Sequence, residues 1–156
     1  MVSKESMELA QKLMTTLNKY ARDAMVKYDV HACTDVTGFG MLGHLYEMAQ
    51  GSDVEITLNV DAIDWIPEAL DLARMGILPA GMYRNRKFAQ DGVDAGDTEL
   101  AKQDLLYDPQ TAGGLLMAVA PNDADALFEE LKTTVPSAQR IGTVAEYQGG
   151  KRIKLR

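Results

Sequence analysis

Three glycines, at 38, 40 and 43, stand between the strand-like run VHAC (30–33) and helical spacing that resumes at Met41 and lasts to Gln50. A chain that turns on glycines between a strand and a helix must build layers of both, and it brings backbone N–H groups to the turn with no Cβ in front of them. The GxGxxG spacing is that of a dinucleotide fingerprint, and Asp61 follows the next strand where a ribose-binding acid would fall. Asp35 argues against that reading, because DVTGFG puts a carboxylate three residues ahead of Gly38, where a pyrophosphate would be repelled. A divalent cation between the two anions removes the conflict. Mg²⁺ takes one or two protein carboxylates together with waters and substrate phosphates. Asp35 then becomes a metal ligand, Thr37 can add a hydroxyl, and the turn at Gly38 and Gly40 offers N–H groups to phosphate. The plain alternative is an ordinary turn in which Asp35 caps the helix. Pattern alone leaves all three readings open.

Elsewhere the periodicities alternate. Residues 4–28 carry apolar side chains at steps of three and four, which predicts one long helix with Ser3 as its N-cap. VEITLNV (54–60) has the period of a half-buried strand, and 66–75 reads as a helix with Pro67 in its first turn and Gly76 as terminator. The segment 77–98 has no clean period and reads as irregular. The apolar run at 115–120 suits a strand buried on both faces, and Asn122 is expected to cap a helix through 131. Residues 141–147 and 152–155 alternate around Gly149 and Gly150, which predicts a C-terminal hairpin. Hairpin strands combined with helical crossovers imply α+β architecture, a mixed β-sheet layered with α-helices in a single domain over 1–156.

A net charge of −7 and a pI near 4.8 disfavour nucleic acid and anionic membranes as partners. The single cysteine forms no internal disulfide, no apolar run reaches membrane-spanning length, and the N-terminus lacks a secretory pattern, so a cytoplasmic location is expected. Cys33 is expected to be small and buried in its strand. His31 and His44 lack the companions of a zinc site, and His44 is expected to pack or hydrogen-bond near the helix start. Asp108 before Pro109 reads as a turn. Arg84, Arg86 and Lys87 form a basic cluster suited either to phosphate or to solvent, and the cations at 151–156 read as protection of an edge strand.

Read at full length, HACTDVTGFGMLGHL (31–45) resembles the segment that opens the C-terminal domain of selenophosphate synthetase, also called selenide, water dikinase. DPQTAGGLLMAV (108–119) is similar to that family's second block, with Ala112 where serine is common, and ILPAGMYRNRKF (77–88) resembles its variable segment. The resemblance implies the C-terminal domain of an aminoimidazole ribonucleotide synthetase-like fold, one half of a two-domain homodimeric enzyme. That enzyme converts ATP, selenide and water to selenophosphate, AMP and phosphate. ATP and Mg²⁺ would be held mainly by the N-terminal domain, which also carries the nucleophilic cysteine or selenocysteine, so no catalytic residue is assigned here and the isolated chain is expected to be inactive. Carried over position by position, Asp35 matches the metal-directed acid. Thr37, Gly38 and Gly40 match the phosphate-facing turn, and Thr111, Gly113 and Gly114 match a second loop of the same cleft. Arg84 and Asn85 transfer from the variable segment, where Ala80, Gly81 and Met82 depart from the family's pattern. The alternatives are an NAD or FAD module built on GFGMLG and the C-terminal domain of a sister ATP-dependent kinase or synthetase.

Overall fold

The computed structural model describes residues 2–156. VEITL forms β2 (Val54–Leu58), whose Ile56 and Leu58 point into the core. It belongs to a four-stranded sheet of order β3-β6-β2-β5, where β3 is Val93–Asp94, β5 is Gly142–Glu146 and β6 is Ile153–Leu155. β6 runs parallel to both β2 and β3, and β5 is antiparallel to β2. The sheet is therefore mixed, as expected, but the C-terminal hairpin is not formed: β2 lies between β5 and β6. Burial explains the choice. Ile153 and Leu155 are 0% and 1% exposed and belong mid-sheet beside Ile56 and Leu58, whereas β5 is exposed at every residue and takes the edge. The cations around β6 accordingly do not guard an edge. Lys154 pairs with Glu55 at 2.7 Å, Arg152 with Asp53 at 2.9 Å and Arg156 with Asp94 at 2.7 Å.

A separate antiparallel ribbon joins β1 (Val30–Asp35) to β4 (Leu115–Val119), with Asp35 opposite Leu115 and a bulge that leaves His31 unpaired. Of β4 only Leu116 is buried, so this strand is not covered on both faces as its composition suggested. Cys33 is likewise exposed rather than buried, because it stands with His31 and Asp35 on the exposed face of the ribbon. Partial desolvation, then the nearby Asp35 carboxylate, pushes its thiol up.

The long N-terminal helix is broken into α1 (Lys4–Thr15) and α2 (Lys19–Met25). The hydroxyls of Thr15 and Thr16 donate back to the Gln11 and Lys12 carbonyls, and Thr16 turns extended. Ser3 caps α1 as predicted, accepting from the Ser6 N–H at 3.2 Å. α3 (Gly40–Gly51) follows the glycine turn. α4 (Ala69–Arg74) ends on Gly76, whose φ of 74° and N–H to the Ala73 carbonyl close the helix. The 77–98 segment is not irregular throughout: residues 80–89 form α5 (Ala80–Ala89), which buries Met82, Asn85 and Ala89 on one face. α6 (Leu100–Leu106) packs on α4, and α7 (Pro121–Thr134) starts with Pro121 in its first turn rather than on an Asn122 cap. Leu42, Leu45 and Ala49 of α3 meet Met82 of α5, Leu106, and the inward side chains of β2 and β6 in one core. No helix among the described residues is long and apolar enough to cross a membrane.

Tyr107, 3% exposed, anchors that core at the end of α6, and burial, opposed by Arg86, pushes its phenol from 10.0 up to about 12. The unfolded chain gives up this proton first. Stability from Tyr107 is thus intact below pH 10 and is lost as pH rises toward 12, by about 2–3 kcal/mol. Tyr107→Phe should flatten that part of the alkaline limb in urea titrations run across the same pH range.

Candidate functional site

The two glycine-rich blocks meet. After β1 leaves the ribbon, Val36 N–H donates to the Gly114 carbonyl at 2.9 Å and Gly113 N–H returns a bond to the Val36 carbonyl at 2.9 Å. Gln110 N–H and Gly40 N–H both donate to the Thr37 carbonyl at 3.0 Å, so loop 36–40 and loop 107–114 form one platform. Two side-chain amides brace it from behind. Asn85 Nδ2 donates to the Gly38 and Tyr107 carbonyls, each at 2.9 Å, and Asn18 Nδ2 donates to the Gly113 carbonyl at 2.9 Å.

The glycines divide into two kinds. At Gly40, with φ 70°, a Cβ would lie 2.7 Å from the Tyr107 carbonyl carbon, and at Gly113 it would lie 2.3 Å from the Val36 oxygen. These two are required by the loop crossing itself. Gly38 and Gly114 have ordinary φ and nothing within 4 Å of a built Cβ, so no contact in the fold demands glycine there. Their bareness leaves backbone accessible to something outside the chain.

Asp35 ends β1 with its side chain exposed, on the rim of a shallow depression of about 720 Å³ shared with Asn18, Lys19, Arg22 and Cys33. No group of three or more His, Cys, Asp or Glu able to hold a metal exists among the described residues. Asp35 therefore fits Mg²⁺ only as one ligand among several, the others coming from a phosphate, water or another protein surface. Asp108, half-buried beside Pro109, has its carboxyl raised by desolvation. Thr111 is exposed at the tip of the second loop, followed by Ala112 in the left-handed region at φ 52°. Arg84 projects from α5 with no ion-pair partner among the described residues. Its neighbours differ. Asn85 is 6% exposed and both amide hydrogens serve backbone carbonyls, so in this structure it braces the loops. Arg86 turns inward to pair with buried Asp104 of α6. The sequence reading missed Asn18, which lies outside every motif, whereas His44 packs and hydrogen-bonds near the helix start as expected, its Nε2 3.1 Å from Thr37 Oγ1.

The dinucleotide reading fails on topology. Such a site needs β1 and β2 side by side and parallel across α3. Here β1 pairs antiparallel with β4, β2 lies in the other sheet, and the Asp61 carboxylate accepts from Lys102 Nζ at 2.8 Å.

The family model described as "AIR synthase related protein, C-terminal domain" matches residues 2–154. Among curated proteins, a selenide, water dikinase of Treponema denticola is 48% identical over 127 residues, covering 81% of this chain and 36% of that protein. One of Clostridium botulinum is 42% identical over 145 residues, covering 92% of this chain and 42% of the relative. Selenide, water dikinase 2 of Peptoclostridium acidaminophilum is 45% identical over 141 residues, covering 90% and 41%. The chain thus spans roughly two fifths of the length of these relatives. It belongs to the AIR synthase related C-terminal domain family, within which it aligns with selenide, water dikinases.

Proposed function

We propose that this chain is the C-terminal domain of a selenide, water dikinase, an ATP-dependent phosphotransferase making selenophosphate, AMP and phosphate from selenide, ATP and water. In this reading its laced loops close over the phosphates of Mg²⁺·ATP carried mainly on an N-terminal domain, within a homodimeric cytoplasmic enzyme. The observation that carries it is the pair of unobstructed glycines, Gly38 and Gly114, on the rigid platform next to Asp35. Peptide groups without a Cβ admit phosphate oxygens closely, and donors already fixed by the loop hydrogen bonds need no reorganisation when charge moves in the transition state. Asp35 would hold Mg²⁺ as one ligand among several, and the ion would supply charge neutralisation toward the phosphates. Thr111 and Arg84, both exposed and near the platform, extend its polar reach. This chain orients and closes; bond making belongs to groups across the cleft.

The test uses the full-length enzyme. Gly38→Ala and Gly114→Ala are expected to leave unfolding within about 0.5 kcal/mol of wild type. Asp35→Asn should lower selenide-dependent ATP consumption by about 10- to 100-fold, as loss of one supporting group at a metal site does. The two glycine variants should also lose activity. Unchanged kinetics in all three would overturn the proposal.

A further inference from the structure

α1 sorts its residues by face. At about 3.6 residues per turn, Leu9, Ala10, Leu13 and Met14 fall in one stripe, and Glu5, Glu8, Gln11 and Lys12 take the opposite side. A helix this short holds its shape in water through the packing of such a stripe, because propensity alone leaves it marginal. α1 is tied down at its start. Ser6, its one buried residue, donates its hydroxyl to the Pro67 carbonyl at 3.1 Å, and the Ser3 N–H donates to Glu68 Oε2 at 2.8 Å. The stripe itself is open, with Leu9, Leu13 and Met14 37%, 39% and 42% exposed, and apolar exposure continues beyond the helix at Leu17 and Tyr20. This open face leads to the candidate site. Asn18, three residues past the end of α1, donates to the Gly113 carbonyl, and Lys19 and Arg22 share the depression with Asp35.

We propose, resting on the two-domain part of the reading above, that the apolar stripe of α1 is the seat on which the N-terminal domain of the full-length enzyme docks. This chain covers about two fifths of the relatives it aligns with and matches a C-terminal family model, which puts the second body upstream, on the side where α1 begins. Magnitudes favour this occupant over a second copy. The helix presents a strip about 18 Å long and roughly 10 Å wide, short of the ~800 Å² per partner that a free-standing dimer buries. Two chains of net charge −7 also repel each other. A covalently joined domain meets the strip at an effective concentration in the millimolar range, so a small apolar contact is enough to hold it. The contact sets how far the glycine platform stands from the groups across the cleft, and Asn18 carries that setting from the end of the strip to the second loop.

Amide exchange along α1 in the full-length enzyme tests this. The Leu13 and Met14 amides should exchange about 10- to 100-fold more slowly there than in the 156-residue chain, the factor expected when two partly exposed side chains of this kind are covered. Leu13→Glu in the full-length enzyme should return α1 to the rate of the 156-residue chain and lower ATP consumption, whereas Gln11→Glu, on the polar side, should do neither. In the 156-residue chain itself Leu13→Glu should leave the urea midpoint nearly unmoved, since that side chain already meets water, and this separates loss of docking from loss of folding. Equal exchange in the two proteins, or full-length protection that Leu13→Glu does not disturb, overturns the proposal. Protection in the 156-residue chain that grows with its concentration assigns the stripe to a second copy and overturns it as well. The site reading fails separately: if Asp35→Asn and the glycine variants keep wild-type kinetics while α1 is protected and sensitive to Leu13→Glu, docking stands and phosphate closure falls.

Discussion

Arg86→Met should destabilise the fold by about 3–5 kcal/mol, the usual cost of stripping one partner from a buried ion pair. Asp104 is 6% exposed on α6, and the Arg86 guanidinium from α5 is the cation it faces. Removing the cation leaves a carboxylate sealed among Tyr107 and the α5–α6 contact, and it also removes the guanidinium placed 5.7 Å from the Tyr107 ring centroid. The double variant Arg86→Met, Asp104→Leu should recover most of the loss, because a well-packed apolar pair of similar volume commonly matches a buried ion pair. Urea unfolding of the four proteins of this cycle measures both numbers. A double variant as unstable as the single one would show that the pair does something other than satisfy itself.

Asn85→Asp should cost about 2–4 kcal/mol although it changes no volume. Asparagine gives one amide hydrogen to Gly38 O and one to Tyr107 O, whereas aspartate has none to give and turns a lone pair toward each carbonyl. Two bonds are lost and a buried acceptor is left unmet. The damage should be local as well as global, since these bonds tie the first loop to the second through α5. Thermal unfolding gives the total. Amide exchange at Gln110 and Gly113, whose N–H groups bond to Thr37 O and Val36 O, reports whether the platform itself has loosened. Full protection of both amides in Asn85→Asp would show that the loops hold together without the brace.

The elements legible in sequence were those set by nearby residues. Ser3 with Ser6, the Gly76 terminator, the alternation in VEITL and the glycine turn between β1 and α3 all rest on local geometry that a short stretch specifies. α5 was hidden because its inward stripe consists of Met82, Asn85 and Ala89 with Arg86 beside it. Two of those four side chains are polar, and they become core residues only when Gly38, Tyr107 and Asp104 arrive to meet them. Cys33 misled for a related reason: period-2 burial says that one face of a strand is covered, but not which, and β1 belongs to a ribbon rather than to the main sheet. The glycine blocks named the two loops that the fold laces together. Asn18 has no spacing of its own, since its contact depends on how α2 docks against those loops.

The position of β6 has a bearing on how the molecule comes into being. β2 and β3 touch only through this strand, so on the ribosome the two must wait, unjoined, until residues 153–155 have emerged. Until then β2 offers a free apolar rim to any neighbouring nascent chain. The ribbon is complete much earlier, once Val119 is out, so the paired glycine loops can be assembled while the sheet is still open. Synthesis thus delivers the laced glycine loops first and the strand that locks the sheet last.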